Sequence, residues 1–307
     1  MSATLEEARR VLAGVTVTPV SPFTSRGDLD LEAAAAHAER LAVSGIRSVA
    51  VAGNTGEFYA LTTEEVDRLV GVWREAAGPG MFLWMGVSGS QADVRRRLVS
   101  ARERGAQGAL LHSPPHTYLS EGGMKRYLET VLDEAQAEGL VVALYKRDAR
   151  VPDSVIVALS RHPALAGVKY AVNDLMAVSR LVHDLDGTVP VVCGTAEVWA
   201  AAFATVGARG FTSVLGGVAP RLSLTLQRAM EQDDLAGVRR IVALVAPFER
   251  MRQEQGSALN IPAVKAAMSW RGWPQGPVRP PLEDLDDLHE KVLGGILVAW
   301  EEAGAWL

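Results

Sequence analysis

Short aliphatic or β-branched runs alternate with longer amphipathic ones from near the start of the chain to about residue 230. Residues 14–20, 48–52, 81–85, 108–112, 141–145, 167–170, 191–193 and 210–213 read as strands, apolar along their length and bounded by Gly, Pro or polar turns. Between and after them, residues 31–43, 62–77, 91–104, 122–138, 152–161, 174–185, 196–206 and 220–230 carry the periodicity of helices with one buried face. The second of these opens with Thr62-Thr63-Glu64-Glu65, a capping-box pattern that satisfies the first free N–H groups of a helix.

A strand followed by a helix, repeated, implies parallel strands with helical crossovers. Eight such units predict an α/β protein, specifically a (β/α)8 TIM barrel. A doubly wound open sheet is the main alternative and usually has fewer units. Three more helical stretches follow, 235–254, 261–270 and 282–300, the last two separated by Gly276-Pro277-Val278-Arg279-Pro280-Pro281. The chain therefore divides into a barrel over 1–232 and a C-terminal helical extension over 233–307, which reads as a small appendix.

Composition narrows the function class. Of 307 residues, 48% are hydrophobic and 22% charged, enough apolar material for the large core of a soluble enzyme. A net charge of −5 argues against nucleic acid or an anionic membrane as partner. One cysteine, Cys193, excludes an internal disulfide and a cysteine-based metal cluster. At a strand end it reads as a reactive thiol or, more simply, a small buried hydrophobe. Residues 1–7 are acidic and lack the apolar centre of a signal peptide, and no run approaches the ~18–20 apolar residues of a membrane span. A cytoplasmic location is expected. The six histidines show no metal-ligand spacing, and Pro114 and Pro115 prevent a helix that would bring His112 and His116 together, so no metal is expected.

Candidate chemistry lies at the C-terminal strand ends, where barrels of this kind carry their sites. The chain has five lysines, and one, Lys169, sits in the apolar run Ala164-Leu165-Ala166-Gly167-Val168-Lys169-Tyr170. Its stem can carry the charge to water, or it can pair with a carboxylate. It can also be a desolvated amine that attacks a carbonyl to form a Schiff base. The second strand ends in Gly53-Asn54-Thr55-Gly56-Glu57, a turn suited to a carboxylate or simply an ordinary capped βα turn. Tyr145 ends the fifth strand, followed by Arg147 and Asp148. That places either a proton-transfer group and a carboxylate grip at the rim, or a rim tyrosine and a surface ion pair. Gly194, Thr195 and Glu197 end the seventh strand and Thr212 the eighth. They can read substrate hydroxyls, or Thr195 and Glu197 can cap a helix.

Taken in order, Thr18-Pro19-Val20-Ser21-Pro22-Phe23, Gly53-Asn54-Thr55-Gly56-Glu57, Tyr145, Gly167-Val168-Lys169, Gly194 and Gly210-Phe211-Thr212-Ser213 resemble the dihydrodipicolinate synthase / N-acetylneuraminate lyase family over about residues 12 to 300. The resemblance implies a homo-oligomer, tetramer or dimer, acting on a small-molecule 2-oxo acid by class I aldolase chemistry without metal or organic cofactor. By position, it makes Lys169 the Schiff-base lysine and Tyr145 its acid/base partner. Gly53, Asn54 and Thr55 would bind the carboxylate, with Arg147, Gly194 and Thr212 as further substrate contacts and Arg150 and Glu197 as weaker ones.

Departures bear on substrate. Synthases of the family usually carry a threonine where Asn54 stands. They also carry a tyrosine pair after the fourth strand, one of which completes a neighbouring protomer's proton relay. Here that segment is Ser113-Pro114-Pro115-His116-Thr117-Tyr118, so His116 or Tyr118 substitutes, or the relay is absent. Tyr145-x-Arg147-Asp148, Thr195-Ala196-Glu197 and the Pro-rich linker are similar to 5-dehydro-4-deoxyglucarate dehydratases, although Tyr170-Ala171-Val172 and the His116 segment depart from them. A dehydratase or aldolase of a keto-deoxy sugar acid is the leading expectation. Dihydrodipicolinate synthase and a non-catalytic metabolite-binding barrel are the alternatives.

Overall fold

The computed structural model describes residues 3–306; Met1 and Ser2 of the acidic opening segment and Leu307 lie outside them. The strands are β1 (Val15–Val17), β2 (Ser48–Val51), β3 (Phe82–Val87), β4 (Gly108–Leu111), β5 (Val141–Lys146), β6 (Leu165–Tyr170), β7 (Val191–Cys193) and β8 (Phe211–Ser213). They pair in sequence order, all parallel, and β8 returns to β1, so the sheet closes into a barrel. The expected (β/α)8 architecture is therefore present. The strands are buried on both faces, which is why they read as unbroken apolar runs rather than alternating ones.

Helices α2 (Leu31–Ser44), α3 (Thr63–Ala77), α4 (Gln91–Glu103), α5 (Glu121–Ala137), α6 (Asp153–Leu159), α7 (Leu175–Leu185), α8 (Glu197–Thr205) and α10 (Pro220–Glu231) follow the strands in turn, with the one-turn helix α9 (Leu215–Val218) inserted after β8. The capping box at Thr62 is formed as the sequence indicates. Two helices lack a counterpart in the periodicity reading, α9 and the N-terminal α1 (Ala3–Leu12). Helix α1 buries Leu5, Ala8 and Leu12 in the cluster that holds Phe82, Trp84, Leu110, Val141 and Ala166, closing the barrel interior. A Cβ on Gly167 would stand 2.6 Å from Leu12 Cδ1, so the glycine makes room for this plug.

The extension is not an appendix. Helices α11 (Leu235–Ser257), α12 (Asn260–Trp270) and α13 (Asp287–Glu302) share a core with Val20 after β1, Val214 after β8, Leu215 and Val218 of α9 and Leu222 of α10. Buried barrel-rim apolar side chains are thus covered by Val245, Phe248, Ile261 and Val264. The long α11 breaks at Glu254–Gly256, where Gln255, Gly256 and Ser257 all take positive φ, and the break swings α12 across the barrel mouth. No helix among the described residues is long and apolar enough to cross a membrane.

Candidate active site

Lys169 and Tyr145 are register partners on β6 and β5. Strict alternation would keep Ala166 and Val168 on one face, yet Ala166 packs inside the barrel and Val168 in the outer core. The β5–β6 register shifts at Val142/Ala143, opposite Leu165 and Gly167. That irregularity inserts one residue and re-aims the rest of the strand, bringing Lys169 into the barrel mouth. Its Nζ stands 4.1 Å from the centroid of the Tyr145 ring. Lys169 is 5% exposed, and its pKa is lowered to about 7, by burial first and then by the Arg147 guanidinium. The buried Tyr145 phenol is pushed the other way, up to about 12, chiefly by loss of solvent.

The β2 turn approaches from the side. Ala52 and Glu57 both take left-handed backbone at its ends, and a Cβ on Gly86 would collide with the Ala52 carbonyl, so glycine in β3 admits the turn. Thr55 spends its hydroxyl on the Thr18 carbonyl at 3.0 Å. Asn54 hydrogen-bonds the Tyr145 side chain, and its Oδ1 is buried without a partner. The N–H groups of Asn54 and Thr55, ahead of the first three-residue hydrogen bond of this short 3-10 turn, are the donors it can offer an anion.

The Glu57 side chain makes no cap hydrogen bond and serves as a strut. Its Oε1 lies 2.7 Å from Lys265 Nζ on α12, and its Oε2 accepts the Arg279 backbone N–H at 2.9 Å. Both charged ends are almost wholly buried, 3% and 1% exposed. Lys265 also donates to the Pro277 carbonyl, and Arg279 binds Glu65 and the Gly27 and Ala60 carbonyls. The extension and its Pro-rich linker thereby hold the turn in place.

A cavity of ≈ 480 Å³ gathers Asn54, Thr55, Tyr145, Arg147, Lys169, Gly194 and Thr212 from the sequence reading. Arg147 forms no ion pair among the described residues. The cavity also has walls that local pattern did not reveal: Thr18, Asn173, and from the extension Glu249, Arg252, Gln253, Ser257 and Asn260. Arg252 is clamped by Glu249 at 2.6 Å and by Asn260 Oδ1. The Gln255-Gly256 break was visible as a helix end, but not what it faces.

Five other expected residues lie off this cavity. Gly53 is the base of the turn, accepting N–H bonds from Gly56 and Phe58. Arg150 is an exposed residue folded back on Asp148 through two side-chain hydrogen bonds. His116 and Tyr118 line a separate groove with Pro114, Pro115 and the start of α5, and Tyr118 is 83% exposed. Glu197 is neither cap nor rim: Ala196 caps α8, and the Glu197 carboxylate is fully buried, accepting from Ser213 and Ser223 hydroxyls. Burial, then the nearby Glu249, pushes its pKa up to about 7. The α7 cap is Asp174, bonded to the Ala177 N–H. Cys193 is buried, its thiol pushed up to about 11.

The model of the dihydrodipicolinate synthetase family matches residues 11–299. A probable 5-dehydro-4-deoxyglucarate dehydratase of Saccharopolyspora erythraea is 32% identical, the match covering 97% of each chain. A 4-hydroxy-tetrahydrodipicolinate synthase of Methanoculleus marisnigri is 29% identical over 93% of this chain and 98% of its own. The crystal structure of dihydrodipicolinate synthase from Oceanobacillus iheyensis superposes with a TM-score of 0.92 at 29% identity, covering 97% of this chain and 99% of that one.

Proposed function

The chain belongs to the dihydrodipicolinate synthetase family, a family of Schiff-base lyases, and from that premise we propose that it dehydrates or cleaves a keto-deoxy sugar acid through an imine on Lys169. The observation that carries this reading is the buried Lys169 amine, with its pKa near 7, packed against Tyr145 in a cavity whose walls are mostly polar. A neutral amine attacks the 2-oxo carbon, water leaves, and the resulting iminium draws electrons from C3. Loss of a C3 proton gives an enamine, which expels a hydroxyl from C4. Cleavage of C3–C4 from the same iminium is the aldolase alternative. Asn54 and the leading N–H groups of its turn hold the carboxylate. Arg147 meets a second anionic group, and Asn173, Thr195, Gln253, Ser257 and Asn260 offer partners for hydroxyls.

Borohydride should trap a reduced adduct on Lys169 with pyruvate and with keto-deoxy sugar acids. A panel of those acids, read for 2-oxo acid or CO2 release, should identify turnover. A folded protein that traps no 2-oxo acid would falsify the proposal. The similarity to the Methanoculleus marisnigri protein supports a second reading, condensation of pyruvate with aspartate semialdehyde. An o-aminobenzaldehyde signal with those two compounds, and no turnover of sugar acids, would establish it instead.

A further inference from the structure

Tyr145 is a poor base on its own. With its pKa pushed up to about 12, roughly one phenol in 10⁵ is ionised at pH 7. It can take the C3 proton only while handing its own hydroxyl proton onward. The segment around His116 and Tyr118, which the resemblance has serve a neighbouring protomer, lies in another groove of its own chain.

One further side chain, His112, stands beside Tyr145, and Tyr59 stands beside His112. The His112 ring meets the Tyr145 ring edge-to-face with centroids 5.3 Å apart, and meets Tyr59 in the same manner at 5.9 Å. Phe58 stacks on His112 at 4.7 Å and fixes its plane. The Tyr59 hydroxyl is 3.5 Å from His112 Nδ1. Tyr59 acts electrostatically on the ionisation of Tyr145, so the two phenols share one neighbourhood. The positions differ in exposure: Tyr59 is 63% exposed and His112 1%. Burial keeps His112 neutral, with its pKa lowered to about 3, which leaves one ring nitrogen to accept from Tyr59. Its Nε2 is buried without a partner.

Building on the Schiff-base reading, we infer that Tyr59, oriented by His112, passes the proton between Tyr145 and solvent within a single protomer. The C3–H bond of the iminium breaks, its electron pair forms C2=C3, and the C2=N pair moves onto nitrogen to give the neutral enamine. The C3 proton goes to Tyr145 Oη as the Tyr145 hydroxyl proton moves, through a bridging water, to Tyr59 Oη. The Tyr59 proton leaves to water, so both tyrosines end as they began. His112 is a positioning residue: it fixes the Tyr59 hydroxyl and does not touch substrate.

The test is exchange of the pyruvate methyl protons in D2O, followed by NMR, with cyanoborohydride trapping on Lys169 measured on the same samples. Y59F should slow exchange by about tenfold or more, within the usual range for a proton-transfer group, while the trapped fraction at saturating pyruvate stays at the parent level. H112N, which keeps a hydrogen-bonding atom near the Nδ1 position, should retain trapping and exchange more slowly than the parent. Because Tyr59 is exposed, Y59F carries the test even if H112N fails to fold. A smaller effect in Y59F overturns the inference, as does slow exchange in Y118F with normal exchange in Y59F, which would place the relay at the His116–Tyr118 segment. A parent protein that traps no pyruvate overturns the Schiff-base reading itself, and its absent adduct distinguishes that failure from a failed relay.

Discussion

Lys169 should behave as a half-neutral amine at physiological pH, and the consequence is large enough to measure twice. Lowering its pKa from 10.5 to about 7 corresponds to about 5 kcal/mol at 1.36 kcal/mol per pH unit. At pH 7 the neutral fraction is then roughly one half, against roughly one in 3,000 for an ordinary lysine. The rate of cyanoborohydride trapping with pyruvate should rise tenfold per pH unit below about 7 and level off above it. Folding feels the same term with the opposite benefit. The folded pKa lies below the unfolded one, so the unfolded chain binds more protons between about 7 and 10.5 and stability rises with pH across that window. At pH 7 the buried amine costs up to about 4 kcal/mol, less what the Tyr145 ring returns. K169M should therefore be inactive yet more stable than the parent at pH 7, with the difference shrinking toward pH 10.5. Urea unfolding at pH 7 and pH 10 reads this. A trapping rate that still climbs tenfold between pH 8 and 9, or a K169M protein no more stable at pH 7, refutes the reasoning.

Other outcomes rest on the same geometry. Removing one end of the buried Glu57–Lys265 pair strands the other, so E57Q and K265M should each lose about 3–5 kcal/mol in urea unfolding, while the double variant should lose less than the two singles combined. K265M should also weaken pyruvate trapping, because the β2 turn loses its strut; unchanged affinity would contradict that. Glu197 has a folded pKa raised from 4.5 to about 7, so its cost builds as pH rises through that window and is full above it. E197Q should therefore gain up to about 3 kcal/mol over the parent at pH 8.5 and little at pH 4.5, and a pH-independent difference would count against it. R147M removes a cation that lowers the Lys169 pKa, so the midpoint of the trapping profile should move up. R147M should also lose affinity for 2-oxo acids with a second carboxylate more than for pyruvate. Equal losses would argue against Arg147 as an anion contact.

The element order, the barrel and the strand-end positions of Asn54, Tyr145, Lys169 and Thr212 were legible in the chain alone. Those depend on local periodicity, turn residues and the burial that a parallel sheet imposes on both faces. The family resemblance set His116, Tyr118 and Arg150 near the site, and strand-end position set Glu197 at the same nominal rim. Tertiary structure separated them, because strand-end position does not specify where a loop or a buried side chain turns. Whether Lys169 points into the mouth depended on a register shift between β5 and β6, since one residue more or less reverses the face. Whether the β2 turn is held depended on a lysine and a backbone N–H from the extension, the latter 222 residues away from Glu57. The extension became a cavity wall because barrel-rim apolar side chains needed cover and three left-handed residues let α12 turn over the mouth. Long-range packing, which no local pattern encodes, brought His112 beside Tyr145 and Tyr59 beside His112.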